Sequence, residues 1–170
     1  NEFIYHNDDA DTYMQFTDNQ WLVRVNGGDR ITIPSSGKVG INCADPGVAD
    51  SVSTSLLEIR GTAGSDFACA GTLTLSTSEG SVVADDVLGI LQFQAPGEEA
   101  GDAKLPAAAI WAQASGTFNS TVNATSLVFA TAASENAIAY AQERMRIDKD
   151  GNVGIGTASP REEFHVYDSS

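Results

Sequence analysis

A stretch of twelve residues recurs in this chain with six of them unchanged. Arg30-Ile31-Thr32-Ile33-Pro34-Ser35-Ser36-Gly37-Lys38-Val39-Gly40-Ile41 returns 114 positions later as Arg144-Met145-Arg146-Ile147-Asp148-Lys149-Asp150-Gly151-Asn152-Val153-Gly154-Ile155. Ala44 and Pro46 return at the same offset as Ala158 and Pro160. Each copy then leads into an apolar alternation, Leu57-Glu58-Ile59 and Phe164-His165-Val166. A repeat of this kind marks a modular, elongated protein rather than a single catalytic globule.

One copy reads as strand, turn and strand. Arg144 to Ile147 is a short strand, and Asp148 to Gly151 is a turn with Gly151 at a position suited to positive φ. Val153 and Ile155 point to one face of the next strand, because strand side chains alternate. Gly154 and Gly156 are expected on the other face, leaving it bare enough for another backbone to approach. In the first copy Asn42 replaces the second glycine. Pro160 is expected to end the strand, since it cannot donate to a ladder. Such a unit has little core of its own and must bury its apolar face on a neighbour.

The wording of the copies carries a resemblance. Glu143-Arg144-Met145-Arg146-Ile147-Asp148 and Gly151-Asn152-Val153-Gly154-Ile155-Gly156-Thr157-Ala158-Ser159-Pro160 resemble repeats of bacteriophage tail fibres and related virion fibre proteins. Phe3-Ile4-Tyr5-His6 with Gln15-Phe16 and Asn26-Gly27-Gly28 is similar to the same family. So is Val87 to Phe93 with Leu127 to Thr131. The resemblance implies an all-β, elongated homotrimeric fibre, with intertwined short-strand shaft segments of β-helical or β-prism type. It also implies a virion location outside the cell, with other tail or virion fibre proteins and a host-surface receptor or glycan as partners. Many relatives end in a self-cleaving chaperone domain; none is legible here, and its protease activity is not carried over.

The expected organisation is an N-terminal β-meander plus first repeat over 1–65, an antiparallel sandwich-like insertion or knob over 66–143, and the second repeat over 144–170, continuing into a longer chain. In the first part, Phe3–His6, Thr12–Phe16, Gln20–Val25 and Arg30–Ile33 read as strands, with Asn26-Gly27-Gly28 as a turn. In the insertion, Thr72–Ser76, Leu88–Gln94, Ala108–Gln113, Ser126–Thr131 and Ala137–Glu143 read as five strands. No sustained 3.6-residue period appears, so little helix is expected.

Composition narrows the function. Nine Lys plus Arg face 23 Asp plus Glu, for a formal charge of −14 over 170 residues. That leaves too few cations for a nucleic-acid-binding face. The longest apolar runs, such as Ala107–Ala112, fall far short of the roughly 20 residues of a membrane-spanning helix, so no membrane insertion is expected. Cys43 and Cys69 have no metal-ligand spacing and read as reduced, structural residues.

Chemistry is sparse. His6 and His165 lie far apart, and His165, at the place Glu58 takes after the first copy, reads as a polar residue on a sheet face. No nucleophile elbow or phosphate-cradling Gly-Lys-Ser/Thr is present. The adjacent acids Asp8-Asp9, Asp85-Asp86, Glu98-Glu99 and Glu162-Glu163 would need to converge across a sugar bond to make a tailspike glycosidase. Asp148-Lys149-Asp150-Gly151-Asn152 resembles the start of a calcium loop but lacks the later bidentate Glu, and reads as a plain turn. Asn119-Ser120-Thr121 and Asn123-Ala124-Thr125 match glycosylation acceptors by chance in a phage product. Trp21, Trp111, Tyr5, Tyr13 and Phe118 are candidates for sugar stacking, with Trp111 expected in the core. The loops 96–103 and 115–125 are the expected receptor contacts.

The expectation is therefore a structural, non-enzymatic fibre segment with no catalytic, cofactor or metal residues. Its competitors are a polysaccharide-degrading tailspike and a cellular surface filament or adhesin built from the same repeats.

Overall fold

The computed structural model describes residues 2–6, 9–44, 46, 55–94, 105–133 and 142–167. The chain is all-β, in two compact units: residues 1–74 and residues 75–170. The first unit holds β1 (Glu2–His6), β2 (Asp9–Thr17), β3 (Gln20–Val25), β4 (Gly28–Pro34), β5 (Val39–Ile41) and β6 (Leu57–Ile59). The second holds β7 (Val87–Gln94), β8 (Pro106–Ala114), β9 (Thr125–Thr131), β10 (Glu143–Ile147), β11 (Val153–Ile155) and β12 (Phe164–Val166). Each set forms one six-stranded sheet with strands in chain order. In both, the first five strands pair antiparallel and the last pair is parallel.

The two sheets share their register as well as their order. Ile31 faces Ile41 and Thr32 faces Gly40; at the same offset Met145 faces Ile155 and Arg146 faces Gly154. Following the pairs back, Val23 corresponds to Phe129, Met14 to Ile110 and Ile4 to Leu91. Residues 66–143, expected as a sandwich-like insertion, supply β7–β9 of the same sheet that carries the second copy. These three strands occupy the places of β1–β3.

The meander forms because apolar and β-branched alternations are separated by turns of the required chemistry. Asn26 and Gly27, at φ 49° and 70°, make the two-residue β3–β4 turn whose paired positive φ values match strand twist. Three expectations are corrected. Thr72–Ser76 forms no strand: a Cβ at Gly89 would collide with the carbonyl of Leu75, so this segment lies across the sheet face there and leaves the edge unpaired by it. Strand β11 ends at Ile155, well before Pro160; Gly156 turns the chain away at φ 72°. Gly156 therefore lies beyond the strand and not on its bare face. The expected strand at 137–143 falls mostly outside the described residues; β10 begins at Glu143.

The core lies on one face of each sheet. In the second unit it comprises Ala109, Trp111, Val128 and Ala130, with Ile90 packed against them. In the first, Leu22, Thr32 and Cys43 are buried, as is Pro46. Leu22 corresponds to Val128, so both sheets bury the same face.

Candidate functional site

The repeat's invariant residues build one local device, a strand whose exit crosses its own sheet. After β5 the chain turns at Asn42, φ 55°, and after β11 at Gly156, φ 72°. The amide of each donates to the carbonyl of the invariant arginine, Asn42 to Arg30 and Gly156 to Arg144, both at 2.9 Å. The chain then passes over the preceding glycine and returns as a parallel strand. A Cβ on Gly154 would stand 2.6 Å from the carbonyl oxygen of Thr157, and one on Gly40 would strike the carbonyl of Cys43. The backbone that approaches the bare face is thus the chain's own. Pro160 sits 3.5 Å from the same built Cβ, and its counterpart Pro46 is buried. The proline is part of the cover.

The other invariants follow. Arg30 donates to the carbonyl of Val25 and Arg144 to that of Thr131, each at 3.3 Å, fastening β4 and β10 to the ends of the preceding strands. Gly37 and Gly151 sit at φ 74° and 86° in the turns between the copies' strands. Their amides donate to Pro34 and Asp148. Asp148 accepts from the amides of Asp150 at 2.9 Å and Asn152 at 2.8 Å, and from the Asn152 side chain at 3.1 Å. Partial burial pushes this carboxyl up; the bonds from Asn152 and Asp150, with the Lys149 charge, outweigh it and hold the group below its ordinary 3.8. Its oxygens serve the turn.

The opposite face of each sheet is apolar; in the second unit Leu75 lies over it at Gly89, and elsewhere the described residues leave the row half-buried or exposed. One row crosses all six strands of the first unit: Ile4, Met14, Val23, Ile31, Ile41, Ile59. The corresponding row of the second is Leu91, Ile110, Phe129, Met145, Ile155, Val166. None of the twelve is buried, and Ile4 is 62% exposed. Beside them lie Phe16 stacked on Trp21, with ring centroids 6.3 Å apart, and Phe164, 63% exposed. No row member is charged, in a chain of net charge −14.

The remaining candidates separate. Trp111 is buried in the core. Tyr5 and Tyr13 pack with Phe3 in one aromatic cluster, with the Arg24 guanidinium over Tyr13. Arg24 also pairs with Asp29 at 2.6 Å. Phe118 is half-buried in the 115–125 loop, its amide donating to the Val82 carbonyl. Asp86 accepts from the Val83 amide at 2.8 Å and Asp85 from the Gln113 side chain, so this acid pair holds a turn. Asp8, Glu98-Glu99 and the 96–103 loop lie outside the described residues, as does the His6 side chain. Cys43 and Cys69 are not joined in a disulfide. Among the described residues, no three His, Cys, Asp or Glu side chains gather as a metal site would need.

One concavity lies where the second copy crosses its sheet. Thr157, Ser159, Arg161, His165 and Tyr167 line a pocket of about 260 Å³. Of these, only His165 was singled out from sequence. Aligning Tyr167 with Arg60, as His165 with Glu58, is the signal that finds the rest. No protein-family signature and no curated protein matches this chain.

Proposed function

We propose that this chain is a structural segment of a homotrimeric phage tail fibre, repeating an all-β unit for mechanical reach and presenting it to the host surface. The observation that carries the reading is the uncharged row of apolar side chains across all six strands, present twice and left half-buried or exposed by the described residues. An apolar face this continuous marks an association surface.

The need for a partner comes from the apolar rows; the number three comes from the resemblance of the repeats to phage fibres. Copies of a chain with charge −14 repel, and the uncharged rows are where they can meet without opposing carboxylates.

The test is the mass of the purified chain by sedimentation equilibrium from high to sub-micromolar concentration. A trimer is expected; a monomer throughout overturns the reading. A cellular filament built from the same repeats would also associate, so purified phage particles should contain this chain, and particles without it would sink the virion assignment.

A further inference from the structure

We propose that the pocket beside β12 binds an acidic sugar unit, such as a uronate, of a host-surface polysaccharide. The inference deepens the host-contact part of the proposed function and rests on it only for the source of the sugar.

The two copies supply an internal comparison. Glu58 pairs with Gly40 and His165 with Gly154, so the two side chains occupy one place in the fold. The amide of Arg60 donates to Ile41 and that of Tyr167 to Ile155, at 3.0 and 2.9 Å, so these two also correspond. In the first copy Arg60 donates twice to Glu58, at 3.0 and 2.7 Å, and the two side chains neutralise each other. In the second copy both members are replaced. The acid becomes an imidazole and the guanidinium an exposed phenol ring, and Arg161 enters the lining. The same scaffold is self-satisfied in one copy and open in the other.

What is open has a definite chemistry. Among the described residues the lining contains no carboxylate. Each of the other five arginines hydrogen-bonds a side chain or a carbonyl; Arg161 forms no ion pair among the described residues. Among the described residues, Nδ1 of His165 is buried with no hydrogen-bond partner, a state that a native structure corrects or uses. The hydroxyls of Thr157, Ser159 and Tyr167 add donors and acceptors. A guanidinium selects a carboxylate by a charge-assisted, bidentate hydrogen bond. Hydroxyl groups and an exposed aromatic ring suit the polar edges and apolar face of a pyranose. A volume of about 260 Å³ accepts one such ring, below the range of roughly 300–1,000 Å³ typical of larger ligands.

The test is a titration of the whole ¹⁵N-labelled chain with glucuronate, glucose and inorganic phosphate, following backbone amide shifts. Glucuronate is expected to move amides of residues 157–167 with millimolar affinity, and glucose and phosphate to bind at least tenfold more weakly. Arg161→Ala and Tyr167→Ala should each weaken glucuronate at least fivefold. The double variant His165→Glu with Tyr167→Arg installs the first copy's ion pair, which the fold already accommodates, and should abolish the shifts. Equal binding of glucose, equal binding of phosphate, or glucuronate shifts unchanged by these variants would each overturn the proposal. The pocket lies within one chain, so a monomer that binds glucuronate sinks the fibre reading and keeps this one. A trimer that does not bind does the reverse.

Discussion

Glycine does two different jobs in each copy of the repeat, and substitution separates them. Gly151 has φ 86° and nothing within 4 Å of a built Cβ, so its demand is conformational. Gly154 has an ordinary backbone, but its Cβ would meet the Thr157 carbonyl, so its demand is steric. Asparagine tolerates the left-handed region, as Asn42 does in this chain. Gly151→Asn should therefore cost under about 1 kcal/mol, whereas Gly154→Asn should cost about 3 kcal/mol by overpacking, read from urea unfolding. Equal losses would refute the distinction. Asp148 makes a second prediction. Its carboxyl is held below 3.8 in the fold, so its stabilisation is complete above that value and is lost as pH falls through the lower, folded value. Asp148→Asn should be less stable than the parent at neutral pH, with the gap closing under acid; a gap independent of pH would show that the charge contributes nothing.

At the scale of elements, the crossing from β11 to β12 uses residues 156–163, while the crossing from β5 to β6 uses residues 42–56, seven more, for the same parallel register. Closure entropy grows only slowly with loop length. Inserting seven Gly/Ser residues between Glu162 and Glu163 should cost about 0.6 kcal/mol, and a loss several times larger would mean that the short crossing is itself a packed element. The same contrast explains what sequence could reveal. Strand spans and the Asn26-Gly27 turn were legible because alternation and positive-φ chemistry are local. The crossing was half legible: the glycine announced a close approach, but nothing in the residues said whose backbone approaches. The correspondence of β1–β3 with β7–β9 was invisible. A ladder position asks only for a side chain of the right polarity, so Met14 and Ile110, or Val23 and Phe129, serve equally. Of the twelve aligned positions of the repeat six keep their identity, among them Gly37 and Gly40, where backbone geometry is stringent.

For the whole molecule, the consequential quantity is apolar surface without a partner. Met145→Asp places a charge in the middle of the second row, flanked by Phe129 and Ile155. In the single chain Met145 is only half-buried, so the substitution should preserve the β-rich circular dichroism while lowering the oligomer mass. The parent's melting temperature should rise with protein concentration, as linkage requires of an associating fold, and the variant's should not. A variant that associates like the parent would locate the interface elsewhere. His165 shows how far sequence reached toward the candidate pocket: its change from Glu58 was noted, and the change from Arg60 to Tyr167 two residues on lies at the same offset, but that the Arg60–Glu58 pair is lost with it emerges only from the structure.

Equal register in both sheets makes the chain divisible. Joining Pro34 directly to Lys149 would remove 114 residues and splice the first four strands onto the second copy's turn, with every ladder pair beyond the junction finding a partner of the kind it had before. Recombination between copies could thus add or remove a whole sheet while each ladder keeps partners of the same kind.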